Sequence, residues 1–184
     1  MKLLMIKDIL ALEASEQTIE VKAWVRTFRN NQFISLYDGS TLSHLQAVLE
    51  LDKTEESILR KITTGASVRV SGTLVPSLGA GQKSEVKVRE IEILGESNPE
   101  KYPLQPKKHS LEFLREKAHL RFRTNTFAAV FRLRHAVSFA IHDYFHKNGF
   151  YSLHTPIITG SDAEGAGEMF RVTGFDLNKL PLDE

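Results

Sequence analysis

Three groups of residues in this 184-residue chain have the types and spacing to do chemistry. The first lies on alternating positions of three apolar runs. If Val21, Ala23, Val25, Ile34, Leu36, Leu45, Ala47 and Leu49 face a core, the opposite faces carry Trp24, Arg26 and Phe28, then Phe33, Ser35 and Tyr37, then Gln46, Val48 and Glu50. An exposed ring stacks on an unpaired base for ~1–3 kcal/mol, and an amide or guanidinium reads a base's hydrogen-bonding edge. A ring packed beneath a loop and a solvated arginine fit the same pattern equally well. The second group is basic. Between Lys101 and His135 there are nine Lys or Arg against two Glu. Such a stretch can contact phosphate, although a solvated face explains most of its members individually. The third is Ser161–Glu168, which sets Asp162, Glu164 and Glu168 among glycines. It could close over a cationic group, or be a plain surface loop. The D-x-[DN]-x-[DN]-G spacing of a calcium loop is absent from it.

Other chemistries are excluded by what the chain lacks. With no cysteine there is no disulfide frame, zinc ribbon or thiol nucleophile. His142 and His146 are one helical turn apart without a third ligand, so no metal site is expected. Neither G-x-x-x-x-G-K-[ST] nor G-x-G-x-x-G occurs. No side chain is assigned a catalytic role. The net charge of +1 rules out a uniformly basic coat or an acidic tail, and 41% hydrophobic residues suit a packed globule. Lys7 and Asp8 break the N-terminal apolar run, which argues against a signal peptide. No stretch approaches the ~20 apolar residues of a membrane span, so a soluble cytoplasmic protein is expected.

The elements that must position these residues follow from periodicity. Alternation over Thr18–Phe28, Gln32–Tyr37 and Leu45–Leu51 predicts three strands, with Asp38-Gly39 as a hairpin signal. Ile58, Leu59 and Ile62 predict a short helix with Thr54 as N-cap, ended by Gly65. Two more strands follow around Val68–Leu74 and Val86–Ile93, the last with a bulge near Glu90. Five strands with one helix between the third and fourth is the order of an OB-fold barrel, whose outer face binds ligands and whose helix plugs one end. Residues Ser97–Lys108, with three prolines, read as a linker. Thr126–Asn148 is one long helix of about 34 Å, apolar over more than one face and stopped by Asn148-Gly149. Phe150–Ile158 is extended around Pro156. This last part cannot bury its own apolar surface, since a single strand needs partners.

Six segments in order, VKAWVRTFRN, FISLYDGS, LQAVLEL, LRKITTGASVRVSG, YPLQPKKHSLEFLREKAHLRFRTNTF and TPIITGSDAEGAGEMFRVT, resemble the N-terminal part of the asparaginyl branch of class II aminoacyl-tRNA synthetases. The resemblance implies an OB-fold anticodon-binding domain over 1–98 and a hinge over 99–125. Residues 126–184 are then an incomplete start of the α+β class II catalytic domain, with its first helix and strand and a flexible loop. It implies that Phe33 stacks on an anticodon base, that Gln46 reads the central uracil, and that Arg26 and Arg29 are the basic positions beside them. It also implies a homodimer built on the long helix, with Phe131 and Pro156 at the interface. Glu164 would lie in a loop that closes on the amino-acid substrate. ATP and Mg2+ are implied for the whole family enzyme, which joins asparagine to tRNA(Asn) through an adenylate. The two arginine-bearing ATP motifs do not occur in the 184 residues, so the chain alone is expected to be inactive. Ala23 stands where the family often has glycine, and Phe28 where it often has arginine. Two other readings are the aspartyl branch, against which Ala163 before E-G-A argues, and a stand-alone OB-fold RNA-binding module.

Overall fold

A computed structural model describes residues 3–14, 16–77, 79, 81–161, 165, 170, 172–176 and 178–179. Two compact units are present, 1–136 and 137–184.

In the first unit, strands β1 (Thr18–Arg29), β2 (Phe33–Tyr37), β3 (Leu45–Val48), β4 (Ser67–Pro76) and β5 (Ser84–Gly95) close a barrel in the order β1-β2-β3-β5-β4. All neighbours are antiparallel except β3 and β5. The inward positions are those the alternation assigns: Val21, Val25, Ile34, Leu36, Leu45, Ala47, Val68, Val70, Leu74 and Val86 are all buried. Closure removes the free sheet edges that would otherwise invite pairing with other chains.

The two connections that join β1, β2 and β3 are local. Asn30 and Asn31 both have φ of 52°, and the Gln32 N–H bonds the Arg29 carbonyl at 3.0 Å. Two left-handed residues match the twist of the flanking strands, and asparagine tolerates that conformation. The hairpin signalled by Asp38-Gly39 forms, since β2 and β3 pair antiparallel, but its loop runs over residues 38–44 rather than two residues. There the Asp38 carboxylate accepts from Ser40 N and Oγ (2.8 and 2.6 Å) and from Ile6 N (2.7 Å).

Bulges adjust the barrel. In β5 the partners step from Ser71↔Glu90 to Gly72↔Val88, leaving Arg89 unpaired beside the expected position. The strand crosses so closely there that a Cβ on Gly72 would lie 2.2 Å from the Lys87 carbonyl oxygen. A second bulge was not expected. In β1, Val25 faces Leu36 and Thr27 faces Ser35, so Arg26 is the inserted residue. The insertion reverses parity beyond it. Phe28, expected on the outer face, turns against the core, while Thr27 and Arg29 turn outward.

The helices also differ from expectation. Helix α1 (Ile6–Ile9), a single turn, supplies the fully buried Ile6 and Ile9. Helix α2 (Glu56–Leu59), the expected plug, has no buried residue, although Ile58 and Leu59 pack on the core edge and Ile62 is buried beyond it. Thr54 is not its cap: its hydroxyl donates to the Glu50 carbonyl, and Glu55 takes that place. Leu51 lies half-exposed in a 3-10 turn over Leu51–Lys53 rather than in β3. The stretch 99–125 carries helix α3 (Leu111–Glu116), capped by the Ser110 hydroxyl accepting from Phe113 N. Leu104 and Leu114 are buried, so this stretch packs within the barrel's unit.

Helix α4 (Asn125–Lys147) is the long helix. Of its residues only Ala128 is buried; Leu133, Phe139 and Tyr144 are 67%, 70% and 64% exposed. In the second unit it stops at Gly149 (φ 84°), where Phe150 N bonds the Phe145 carbonyl (3.0 Å) as in a left-handed helix cap. The expected strand over 150–158 does not form among the described residues, and Tyr151, Leu153 and Ile157 are exposed. An extended segment has no ladder to join without a neighbouring strand. No helix among the described residues is long and apolar enough to cross a membrane.

Candidate nucleic-acid interface

The outer face of β1–β3 builds the first site. The Arg29↔Phe33 and Phe33↔Val48 pairs put Arg29, Phe33 and Val48 in one row. The Ser35↔Gln46 pair sets Gln46 diagonally from Phe33, within reach of an aromatic side chain. Arg29, Asn30, Phe33 and Gln46 line a shallow depression of about 420 Å³. Arg29 is exposed; Phe33 and Gln46 are partly so. Three of the four residues singled out for base recognition therefore meet at one place.

Gln46 is held there by a residue the sequence reading missed. Its Nε2 donates to Glu85 Oε2 at 3.1 Å. The same oxygen accepts from the Ser77 hydroxyl (2.8 Å) and from Gln82 Nε2 (3.3 Å). A carboxylate only accepts, so Glu85 forces the nitrogen end of the Gln46 amide toward itself. One N–H and the Oε1 remain to meet a base as a donor and an acceptor of fixed polarity. Uracil offers the complementary O4 and N3–H. The signal for Glu85 was its outward place in the alternation of β5. What brings it to Gln46 is the parallel β3–β5 pairing, Ala47↔Val86, across about forty residues of chain.

The fourth candidate, Arg26, is elsewhere. Its Nη1 donates to Asn125 Oδ1 (2.9 Å), and its guanidinium lies 5.9 Å from the Tyr37 ring centre. Burial pushes its pKa below the ordinary value, against the opposite pull of Tyr37 and Tyr102. Burial raises the Tyr37 phenol. His44, edge-on to Tyr37, is lowered to about 4, first by burial and then by Arg26. Its Nδ1 has no partner among the described residues.

Phe131, expected at a subunit interface, is half-buried under Arg121, whose guanidinium is 5.3 Å from its ring centre. Pro156 is exposed. Glu164 lies outside the described residues.

Comparison with known proteins agrees with this architecture. Residues 19–94 match the family described as an OB-fold nucleic acid binding domain, and residues 110–180 match class II tRNA synthetases (D, K and N). The asparagine–tRNA ligase of Parabacteroides distasonis is 54% identical over 97% of this chain and 39% of its own length. That of Borreliella burgdorferi is 49% identical over 95% of the chain, again 39% of its own length. The asparaginyl-tRNA synthetase of Pyrococcus horikoshii complexed with asparaginyl-adenylate superposes with a TM-score of 0.76 at 22% identity, over 94% of this chain and 40% of that one. This last likeness speaks to the fold. The chain thus spans about two fifths of the length of the curated relatives it matches, and over residues 110–180 it is similar to the class II tRNA synthetases of the D, K and N group.

Proposed function

We propose that this chain is the tRNA-reading part of an asparagine–tRNA ligase, and that the barrel holds the anticodon of tRNA(Asn). The observation that carries this is the depression that gathers Arg29, Phe33 and a Gln46 amide oriented by Glu85. Phe33 stacks on one base; Gln46 pairs with the Watson–Crick edge of the central uracil; Arg29 meets the backbone. Arg26 acts from the neighbouring cleft and not on the bases.

The reaction of the whole enzyme is ATP-dependent joining of asparagine to tRNA in the cytoplasm. ATP and Mg2+ belong to the reaction proposed for the whole enzyme; among the described residues no three His, Asp or Glu side chains are placed to hold a metal ion. The exposed apolar residues of the second unit's part of α4, Phe139 foremost, and Pro156 serve a homodimer. Glu164 serves the amino-acid loop.

The test is binding of the chain to RNA hairpins that share a stem and differ in anticodon: GUU, GUC and GCU. Preference for GUU over both is the expected result, with the preference over GCU lost in Gln46→Ala and binding of all three weakened in Phe33→Ala. Equal binding to GUU and GUC points to an aspartyl or non-discriminating branch. Equal binding to all three, unchanged in the variants, removes the base-reading role.

A further inference from the structure

On the other side of the β1 bulge, within the first unit, a cleft of about 620 Å³ lies between the barrel and residues 102–126. Arg26, Lys107, Lys108 and Arg123 line it, and no Asp or Glu does. None of these four cations forms an ion pair with a carboxylate among the described residues. Arg123 lies over the Trp24 ring, 4.4 Å from its centre, and its Nε is buried without a partner among the described residues. Arg26 meets one neutral acceptor, Asn125. Desolvated guanidinium groups left without an anion are costly, and native structures seldom leave such donors unused. The cleft is therefore short of negative charge and rich in forked donors, which fit a phosphate group in bidentate fashion.

We propose that this cleft is a phosphate-binding site, separate from the base-reading depression: Arg26 and Arg123 hold the oxyanion inside it, and Lys107 and Lys108 hold it at the rim. The phosphate comes either from an RNA backbone or from a free phosphate ion, and the two sources share the chemistry. The site does not depend on whether the barrel reads bases.

Trp24 is the sole tryptophan of the chain and lines the cleft, so its fluorescence reports occupancy directly. The full 184-residue chain is titrated with sodium phosphate at neutral pH, and with sodium chloride at matched ionic strength. A saturable change in emission with phosphate alone is expected. Arg26→Gln raises the half-saturating concentration about tenfold, the worth of one charge-assisted hydrogen bond. The Lys107→Gln/Lys108→Gln pair, both exposed residues, raises it comparably and keeps the fold testable should Arg26→Gln unfold. Adding the GUU hairpin then separates the sources. Competition with phosphate identifies RNA backbone as the occupant; an unchanged phosphate curve identifies the free ion. No saturable change, an equal change with chloride, or a curve unaltered in the lysine pair overturns the proposal. Because the phosphate arm contains no RNA, those failures are distinct from loss of anticodon preference.

Discussion

Removing Glu85 should blur the reading of the central base without unfolding the barrel. Its Oε2 accepts from Gln46 at 3.1 Å, Ser77 at 2.8 Å and Gln82 at 3.3 Å. All three bonds are only partly buried, so in Glu85→Ala the freed donors turn to water and the stability cost stays below ~1 kcal/mol. The effect on recognition is larger. Without the carboxylate the Gln46 amide rotates freely and presents its two ends in either order, which serves cytosine as well as uracil. A hydrogen bond to a charged group contributes about 1.5–3 kcal/mol. The lower end applies at this half-open site and corresponds to roughly a tenfold fall in the GUU:GCU affinity ratio. The ratio is the quantity to measure, because deleting a negative charge next to RNA strengthens binding to every hairpin. Glu85→Gln keeps an acceptor but also offers donors, so it should lose only part of the ratio. In a Gln46→Ala background Glu85→Ala should leave the ratio where it is, since the two act as one unit. A ratio in Glu85→Ala within about twofold of the unaltered chain, with Gln46→Ala still impaired, would refute the positioning role; a twofold change is below ~0.5 kcal/mol.

Gly72→Ala should destabilise the barrel by ~3 kcal/mol or more, because the new Cβ meets the Lys87 carbonyl oxygen at 2.2 Å and backbone must move; thermal melting followed by circular dichroism checks it. Leu114→Ala should cost ~2–4 kcal/mol in the same assay, since Leu114 is buried within the barrel's unit; a loose tether would show almost none. The pH dependence follows from His44. Its folded pKa of about 4 lies below the ordinary ~6.5, so between those values the unfolded chain binds the extra proton and stability falls as pH drops. The full shift would amount to about 3 kcal/mol; solvent at the half-buried ring reduces it to the order of 1–2 kcal/mol. His44→Gln should flatten the decline in melting temperature between pH 6.5 and 4, and an unchanged slope would remove His44 as its source.

What the sequence disclosed and what it hid divide along physical lines. The barrel was legible because strand alternation is a strong signal, and the inward Val, Ile and Leu of the strands that form are where parity places them. The long helix was legible for the same reason at a different period, and its end was marked by Gly149. Helices α1 and α3 were not: each is a turn or two long, and no apolar repeat bounded by cap and stop residues marked them as Ile58, Leu59, Ile62 and Gly65 marked α2. The 99–125 stretch looked like a tether because its prolines and charges are local features, whereas burial of Leu104 and Leu114 depends on what they meet in space. Glu85 was hidden for that reason too: nothing near it in the chain points to Gln46. The strand expected over 150–158 failed for want of a ladder partner.

The bulge at Arg26 is the feature on which both sites turn. A strand of unbroken alternation would place Arg26 and Phe28 beside Phe33 and send Thr27 and Arg29 inward. Arg29 would then be a charge buried without a partner, at a cost of several kcal/mol, and the Phe28 ring would lose its contact with the core. One inserted residue avoids both. It leaves two arginines three positions apart on one strand on different surfaces, Arg26 on the cleft and Arg29 on the depression lined by Phe33 and Gln46. The two functions should therefore separate. Arg29→Gln weakens hairpin binding about evenly for all anticodons, because a backbone contact carries no base information, and leaves the phosphate response of Trp24 as it was. Arg26→Gln weakens that response and leaves the GUU:GCU ratio as it was. If either substitution moved both readouts together, with folding intact, the two sites would be one continuous surface, and the bulge would be a correction of strand register rather than the divide between them.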